Sequence, residues 1–229
     1  MRSLVIIPAR GGSKGIPHKN IKEFNGRPLI YYAIDCAREI VDDEDICVTT
    51  DDDDIIRTVE AYGLSVPFKR PDYLATDTCG TYEVLLHALN HYEETGSHYD
   101  NIILMQCTSP FRNSQHVRDA LNLYDDSIDM VVSVTEAKAN PYYNSFEETD
   151  AGYLVVSKGS GDIHRRQDCP KVWEYNGAVY IINPESLKKE SLSKFKKVRK
   201  YEMDSLHSFD LDTPLDWEMA ELIVSKNIL

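Results

Sequence analysis

Short β-rich apolar runs alternate with helical patterns over the first 134 residues, and this order limits the fold more than any other feature. Leu4 to Ile7, Ile46 to Thr49, Ile102 to Met105 and Met130 to Val134 read as buried strands. Between them, Leu29 to Ile40, Asp54 to Tyr62, Thr81 to Tyr92 and His116 to Tyr124 read as helices. Leu85, Leu86 and Leu89 fall on one face of the third. Strands that alternate with helices predict an α/β chain with a mostly parallel sheet and helices on both faces. The pattern then changes. Asn140 to Cys169 carries proline, paired tyrosines, acidic residues and glycine, with one β-like run at Tyr153 to Val156. This segment reads as an insertion, a hairpin or arm leaving the main sheet. Ala178 to Ile182 returns as a core strand, and Leu215 to Ile223 closes the chain as a helix. The expected division is therefore a main domain over 1–139 and 170–229, with an inserted arm over 140–169.

A chain of 229 residues fits one such domain with a small appendage, and 42% hydrophobic residues suffice for its core. The formal net charge of -13 disfavours nucleic acid or an anionic membrane as partner. It leaves a nucleotide substrate open, because local cations can gather phosphates within an acidic surface. The five cysteines are odd in number and form no C-x-x-C pair, which points to reduced thiols in a cytoplasmic protein. The apolar run at Leu4 to Ile7 is too short for a signal peptide's core, and no stretch reaches the length of a membrane span. The acidic clusters Asp42 to Asp45 and Asp51 to Asp54 are expected to be solvated loop and helix-start residues.

The strongest local signal is Ile7-Pro8-Ala9-Arg10-Gly11-Gly12-Ser13-Lys14-Gly15-Ile16-Pro17-His18-Lys19-Asn20. A buried strand runs into a loop with three glycines and the cations Arg10, Lys14 and Lys19. Glycines let backbone N–H groups turn toward a phosphate chain and approach it closely. The spacing is neither that of a Walker A loop nor that of a dinucleotide fingerprint. The plain alternative is a flexible surface turn. A second signal is Asp210-Leu211-Asp212-Thr213-Pro214-Leu215-Asp216. Asp210 and Asp212 alternate on an expected strand end, so both carboxylates face one way. Two hard oxygen ligands on one face suit Mg2+ (or Mn2+) bridging triphosphate oxygens. The competing reading is a capped turn, with Thr213 or Asp216 capping the following helix. Gln106-Cys107-Thr108-Ser109-Pro110-Phe111-Arg112 follows a strand at its C-terminal end, where open α/β sheets bind ligands. A packing role is expected for Cys107 rather than a nucleophile's, and no histidine is assigned to a metal.

Together these segments resemble the acylneuraminate cytidylyltransferase family, the CMP-sialic acid synthetases, over nearly the whole chain. The resemblance rests on the Ile7 to Ile21 loop, Thr50 to Asp52, the Arg70 to Thr78 loop and Gln106 to Arg112. It extends through Arg165 to Asp168, Asn176 to Ile181 and Asp210 to Asp216. It implies a Rossmann-like nucleotidyltransferase fold, with a small β-rich dimerisation arm exchanged between the subunits of a homodimer. It implies cytidylyl transfer from CTP to a nine-carbon 2-keto sugar acid, with pyrophosphate released. It places Arg10, Gly11, Gly12, Ser13, Lys19, Asn20, Arg70, Cys79, Thr81 and Gln106 at the nucleotide. Gln106, Tyr143, Arg166 and Asn176 fall at the sugar, and Asp210 and Asp212 at the metal. Arg10, Lys19, Asp210 and Asp212 would carry the catalytic charge.

The sequence departs from the family at three places. Cys107 stands where proline is usual, and Thr81 where serine is common. Tyr143 stands where sialate-specific members carry a lysine for the sugar carboxylate. The tyrosine resembles relatives that act on legionaminic acid or another modified nonulosonic acid, with Arg166 left to take the carboxylate. Two other readings stay open: a catalytically silent nucleotide-sugar sensor or scaffold subunit, and a nucleotidyltransferase for a sugar 1-phosphate, which has no need of Arg166.

Overall fold

The computed structural model describes residues 1–13, 15–76 and 78–228. In chain order its elements are β1 (Ser3–Pro8), β2 (Glu23–Phe24), β3 (Arg27–Pro28), α1 (Leu29–Arg38), β4 (Ile46–Thr49) and α2 (Asp53–Ala61). Next come α3 (Thr81–Glu94), β5 (Asn101–Leu104), α4 (Ser114–Leu121), β6 (Met130–Glu136), β7 (Phe146–Glu148) and β8 (Leu154–Val156). The last are β9 (Trp173–Ile182), α5 (Pro184–Lys189), β10 (Val198–Glu202) and α6 (Pro214–Ser225). Among the described residues, six strands form one sheet in the order β10-β6-β9-β5-β1-β4. The β10–β6, β5–β1 and β1–β4 pairs are parallel, and β9 runs antiparallel to both of its neighbours.

The period-two alternation of β1 decides how the layers pack. Val5 and Ile7 join one core with Ile30, Ile34, Ile55, Val59, Val117 and Ala120 from α1, α2 and α4. Leu4 and Ile6 point the other way, toward Leu85, Ala88 and Leu89 of α3 and Leu187 of α5. Full burial of one such Ile or Leu side chain contributes roughly 1.5–3 kcal/mol. The sheet is thus covered by helices on both faces. A third cluster, Phe24, Leu29, Phe111, Leu211 and Trp217, docks α6 beside the start of α1.

The expected elements recur, with ends shifted by a few residues. Four were not read from the sequence: the short paired strands β2 and β3, the helix α5, and the edge strand β10. The β10 sequence, Val-Arg-Lys-Tyr-Glu, is charged and largely exposed, which suits a protected sheet edge and hides its strand signal. Asp210 and Asp212 do not sit on a strand end as expected; they lie in an irregular stretch between β10 and α6. Beside the two aspartates, Leu211 N–H donates to the Thr108 carbonyl at 2.9 Å, a single tie that makes no ladder. Asp45 is not solvated either. It is 8% exposed and accepts hydrogen bonds from Arg2 and Tyr99. Asp52, by contrast, does start a helix, accepting from the N–H groups of Asp54 and Ile55.

The inserted segment holds only the β7–β8 hairpin, with Phe146, Tyr153, Leu154 and Val155 exposed. Among the described residues, no helix is long and apolar enough to cross a membrane.

Candidate active site

Three parallel strands, β1, β4 and β5, end at the same edge of the sheet, and β9 passes that edge before entering it. The loop after β1 is tied down at both ends. Ala9 N–H donates to the Thr49 carbonyl at 3.0 Å, and the Asn20 amide donates to the Arg10 carbonyl at 3.0 Å. Between them the chain runs too close to its neighbours for a side chain. A Cβ on Gly11 would lie 2.3 Å from Asp52 Oδ2, and one on Gly15 would lie 2.2 Å from the Asp212 carbonyl oxygen. A Cβ on Gly12 would meet nothing. Lys19 crosses to the far end of the chain, where its ammonium donates to the Leu211 carbonyl at 2.8 Å and to Asp212 Oδ1 at 3.0 Å. Lys14, expected here as a third cation, lies outside the described residues.

A cavity of about 340 Å³ opens over this loop. Arg10, Ser13, Lys19, Asn20, Arg70, Cys79 and Thr81 all line it, as does Thr108. Arg70 is 4% exposed and donates from Nε to Thr49 Oγ1 at 3.1 Å and from Nη2 to the Thr49 carbonyl. Burial lowers its pKa from the usual arginine value, yet a guanidinium keeps its charge there. Gly11 and Gly12 shape the turn without lining the cavity.

A second cavity of about 360 Å³ is lined by Gln106, Asn176 and Asp210. Sequence reasoning missed the rest of its wall: Thr135, Glu174, Tyr175, Gly177, Tyr180 and Ser208. Tyr175 and Tyr180 meet edge to face at 6.1 Å. Tyr175 lies just outside the segments singled out in the sequence, and Tyr180 lies within the Asn176 to Ile181 segment without having been assigned a role. Tyr143 and Arg166 line neither cavity; both are on the exposed inserted segment.

Thr108 on the wall of the first cavity and Asp210 on that of the second belong to segments bonded to each other through Leu211. Among the described residues, Thr108 Oγ1 and Asp210 Oδ1 are both buried without a hydrogen-bond partner. Burial, with the charge of Asp212 adding to it, pushes the Asp210 carboxyl up to about 6, against the pull of the Lys19 ammonium. A buried carboxylate with an unused oxygen lacks a cation, so this pair fits a divalent metal. Asp212 presents its carboxylate in the open, 70% exposed. Among the described residues no three His, Cys, Asp or Glu side chains form a metal cage. That suits Mg2+, which takes one or two carboxylates and completes its shell with phosphate and water. Thr213 and Asp216 fix the backbone after Asp212 by a reciprocal capping box. Both expected caps are therefore present beside the two carboxylates.

Cys107 is 2% exposed, and burial pushes its thiol up to about 12, which suits packing and not nucleophilic attack. Sequence reasoning also missed the H-x-x-x-H spacing of His87 and His91, a possible metal pair. Both rings pack on Phe68, at 4.8 and 4.7 Å.

A family model described as Cytidylyltransferase matches residues 4–224. The chain belongs to the cytidylyltransferase family. Among relatives, it is 34% identical over 220 residues to an N-acylneuraminate cytidylyltransferase of Streptococcus agalactiae, covering 95% of this chain and 52% of that one. The chain thus spans about half the length of the streptococcal relatives it matches. It is 31% identical over 228 residues to a CMP-N,N'-diacetyllegionaminic acid synthase of Legionella pneumophila, covering 99% and 98% of the two chains. Among solved structures, a CMP:2-keto-3-deoxy-manno-octonic acid synthetase complexed with CTP superposes with a TM-score of 0.72. That match covers 99% of this chain and all of the other at 17% identity, and it shows the nucleotidyltransferase fold alone. The Rossmann-like architecture expected from the sequence is therefore present.

Proposed function

We propose that the chain joins CTP to a sialic-acid-like nonulosonic acid, of the N-acylneuraminate or legionaminate type, to give the CMP-sugar and pyrophosphate. The observation that carries this reading is the junction of the two cavities at Thr108 and Asp210. A nucleotide in the first cavity and a sugar acid in the second would present their reacting ends to each other there. The sugar's anomeric hydroxyl oxygen attacks the α-phosphorus, the bond from that phosphorus to the bridging β-oxygen breaks, and the hydroxyl proton leaves. Negative charge grows on the phosphate oxygens, so positioning and electrostatics lower the barrier. Arg10 and Lys19 supply positive charge from the loop, and Asn20 holds that loop in shape. Asp210 and Asp212 would hold Mg2+, which neutralises phosphate charge when bound. A silent sensor has no use for a half-buried carboxylate with one oxygen left without a hydrogen bond.

Pyrophosphate release tests the reading, with CTP and a panel of N-acetylneuraminate, diacetyllegionaminate, pseudaminate and 2-keto-3-deoxyoctonate. Release is expected with the nine-carbon acids, highest with legionaminate because of Tyr143. UTP should be poorer by roughly 1–3 kcal/mol per lost contact, since a site built for cytosine's amino group leaves an acceptor unpaired with uracil. A folded, CTP-binding protein that releases no pyrophosphate with any acid overturns the reading in favour of the sensor.

The inserted segment supports a homodimer. The hairpin buries almost nothing on its own chain, and a two-fold related copy offers a surface for Phe146, Tyr153 and Leu154. Exchange of the arm would bring Tyr143 and Arg166 to the partner's second cavity. Mixing an Arg166→Ala subunit with an Asp212→Asn subunit, each nearly inactive alone, decides it. Crossed arms leave one intact site per mixed dimer, so about a quarter of the wild-type rate should return on random exchange. No recovery after verified subunit exchange means that the arm serves its own chain.

A further inference from the structure

The sheet breaks pattern beside the second cavity. Val132 pairs with Tyr180 and Val134 with Tyr175, so Ser133 alone stands opposite residues 176–179. This wide bulge takes two backbone donors out of the ladder, and side chains recover both. Val179 N–H donates to Ser133 Oγ at 2.8 Å, and Ala178 N–H to Asn176 Oδ1 at 3.1 Å. Gly177 turns the corner at φ 76°, a left-handed conformation that glycine adopts at little cost. From the other side, Arg112 ties the bulge to the end of β5, donating to the carbonyls of Ala178 at 3.0 Å and Gln106 at 2.9 Å. The bulge is therefore a fixed point.

Asn176 is fully spent on this arrangement. Its Oδ1 accepts from Ser133 Oγ at 2.5 Å and from Ala178 N–H. Its Nδ2 donates to Ser208 Oγ at 2.9 Å and meets Met203 Sδ at 3.4 Å. An amide has two acceptor sites and two hydrogens, so none is left for a ligand. The role in holding sugar that the family resemblance implies for Asn176 does not use a free amide here.

The bond to Ser208 leads to Asp210. The stretch between β10 and α6 has no ladder to hold it. Asp210 is bracketed by two anchors: Ser208 on Asn176 before it, and Leu211 on the Thr108 carbonyl after it. Leu211 is also locked by full burial. We propose that Ser208 is a positioning residue, held by Asn176 and Ser133 across the bulge, that sets where the Asp210 carboxylate stands. The proposal rests on the reading of Asp210 as a metal-holding group. Partners behind a metal ligand typically change affinity by 10–100-fold when removed.

The test is Mn2+ affinity, read by electron paramagnetic resonance at fixed CTP without sugar acid, together with the melting temperature. Ser208→Ala should weaken Mn2+ about tenfold with little change in melting temperature. Ser208→Thr, which keeps the hydroxyl, should restore most of the affinity. A merely structural role would lower the melting temperature and leave Mn2+ affinity alone, and that result overturns the proposal. Asp210→Asn is the control. Wild-type Mn2+ affinity in Asp210→Asn removes the metal reading itself. Loss in Asp210→Asn with wild-type affinity in a folded Ser208→Ala removes only the positioning role.

Discussion

Asp212→Asn should lower turnover on the order of 10²-fold or more at limiting Mg2+, with the fold unchanged. On the proposed reading, the amide removes one of the two carboxylates that would hold Mg2+, and so would weaken both metal binding and charge neutralisation. The fold should survive because the Asp212 carboxylate is largely exposed and its ion pair with Lys19 is of a kind worth at most about 1 kcal/mol. Asp210→Asn should reach a similar loss in rate for the same reason. Its melting temperature should not fall, because the change removes a charge whose burial already raises its pKa. Single-turnover rates over a range of Mg2+, with melting curves for both variants, make the comparison. Near-normal turnover in either variant at limiting Mg2+ would sink the metal assignment.

Gly15→Ala should cost on the order of 10²-fold in kcat/KM, although Gly15 carries no chemistry. The added methyl would lie 2.2 Å from the backbone oxygen of Asp212, closer than packed atoms tolerate. Backbone cannot rotate away as a side chain can, so the loop or the Asp210–Asp212 stretch must move. Either movement separates Lys19 from the carboxylates and displaces reacting groups, and the strain should lower stability by about 1–3 kcal/mol. Gly12→Ala is the matched control, since its methyl would meet nothing within 4 Å. It should fold with wild-type stability. Steady-state kinetics and melting curves on the two variants check this. Equal activity in Gly15→Ala and wild type would show that the close approach is not needed.

Much of the fold was legible because periodicity reports burial. The unbroken apolar run Leu4 to Ile7 predicts a strand covered on both faces, and the two cores divide along those residues. The edge strand β10 was not legible, since its exposed charges mask the pattern. The first cavity was largely legible as well. Seven of its lining residues were named from the glycine-rich loop, the Arg70 loop and the segment before α3, all of which sit near strand or helix ends. The second cavity was not, beyond Gln106, Asn176 and Asp210. Tyr175, Tyr180 and Thr135 stand there beside a bulge whose local mark, Gly177 within a strand, does not tell which side chains will face the cavity.

The sequence by itself determined the alternating α/β order, the phosphate-type loop, the aspartate pair and the family. Each of these lies in a run of neighbouring residues, where spacing along the chain is spacing in space. Only the tertiary structure decided which residues meet across the chain. Lys19 reaches Asp212 across 193 positions, and Gly15 abuts the carbonyl of that same residue. Asn176 is consumed by Ser133, Ala178 and Ser208, drawn from two strands and a turn. The exposure of Asp212 and the burial of Asp210, two residues away, follow from the same docking. Short-range pattern encodes which face of an element is apolar; it does not encode which distant polar atom will satisfy a buried one.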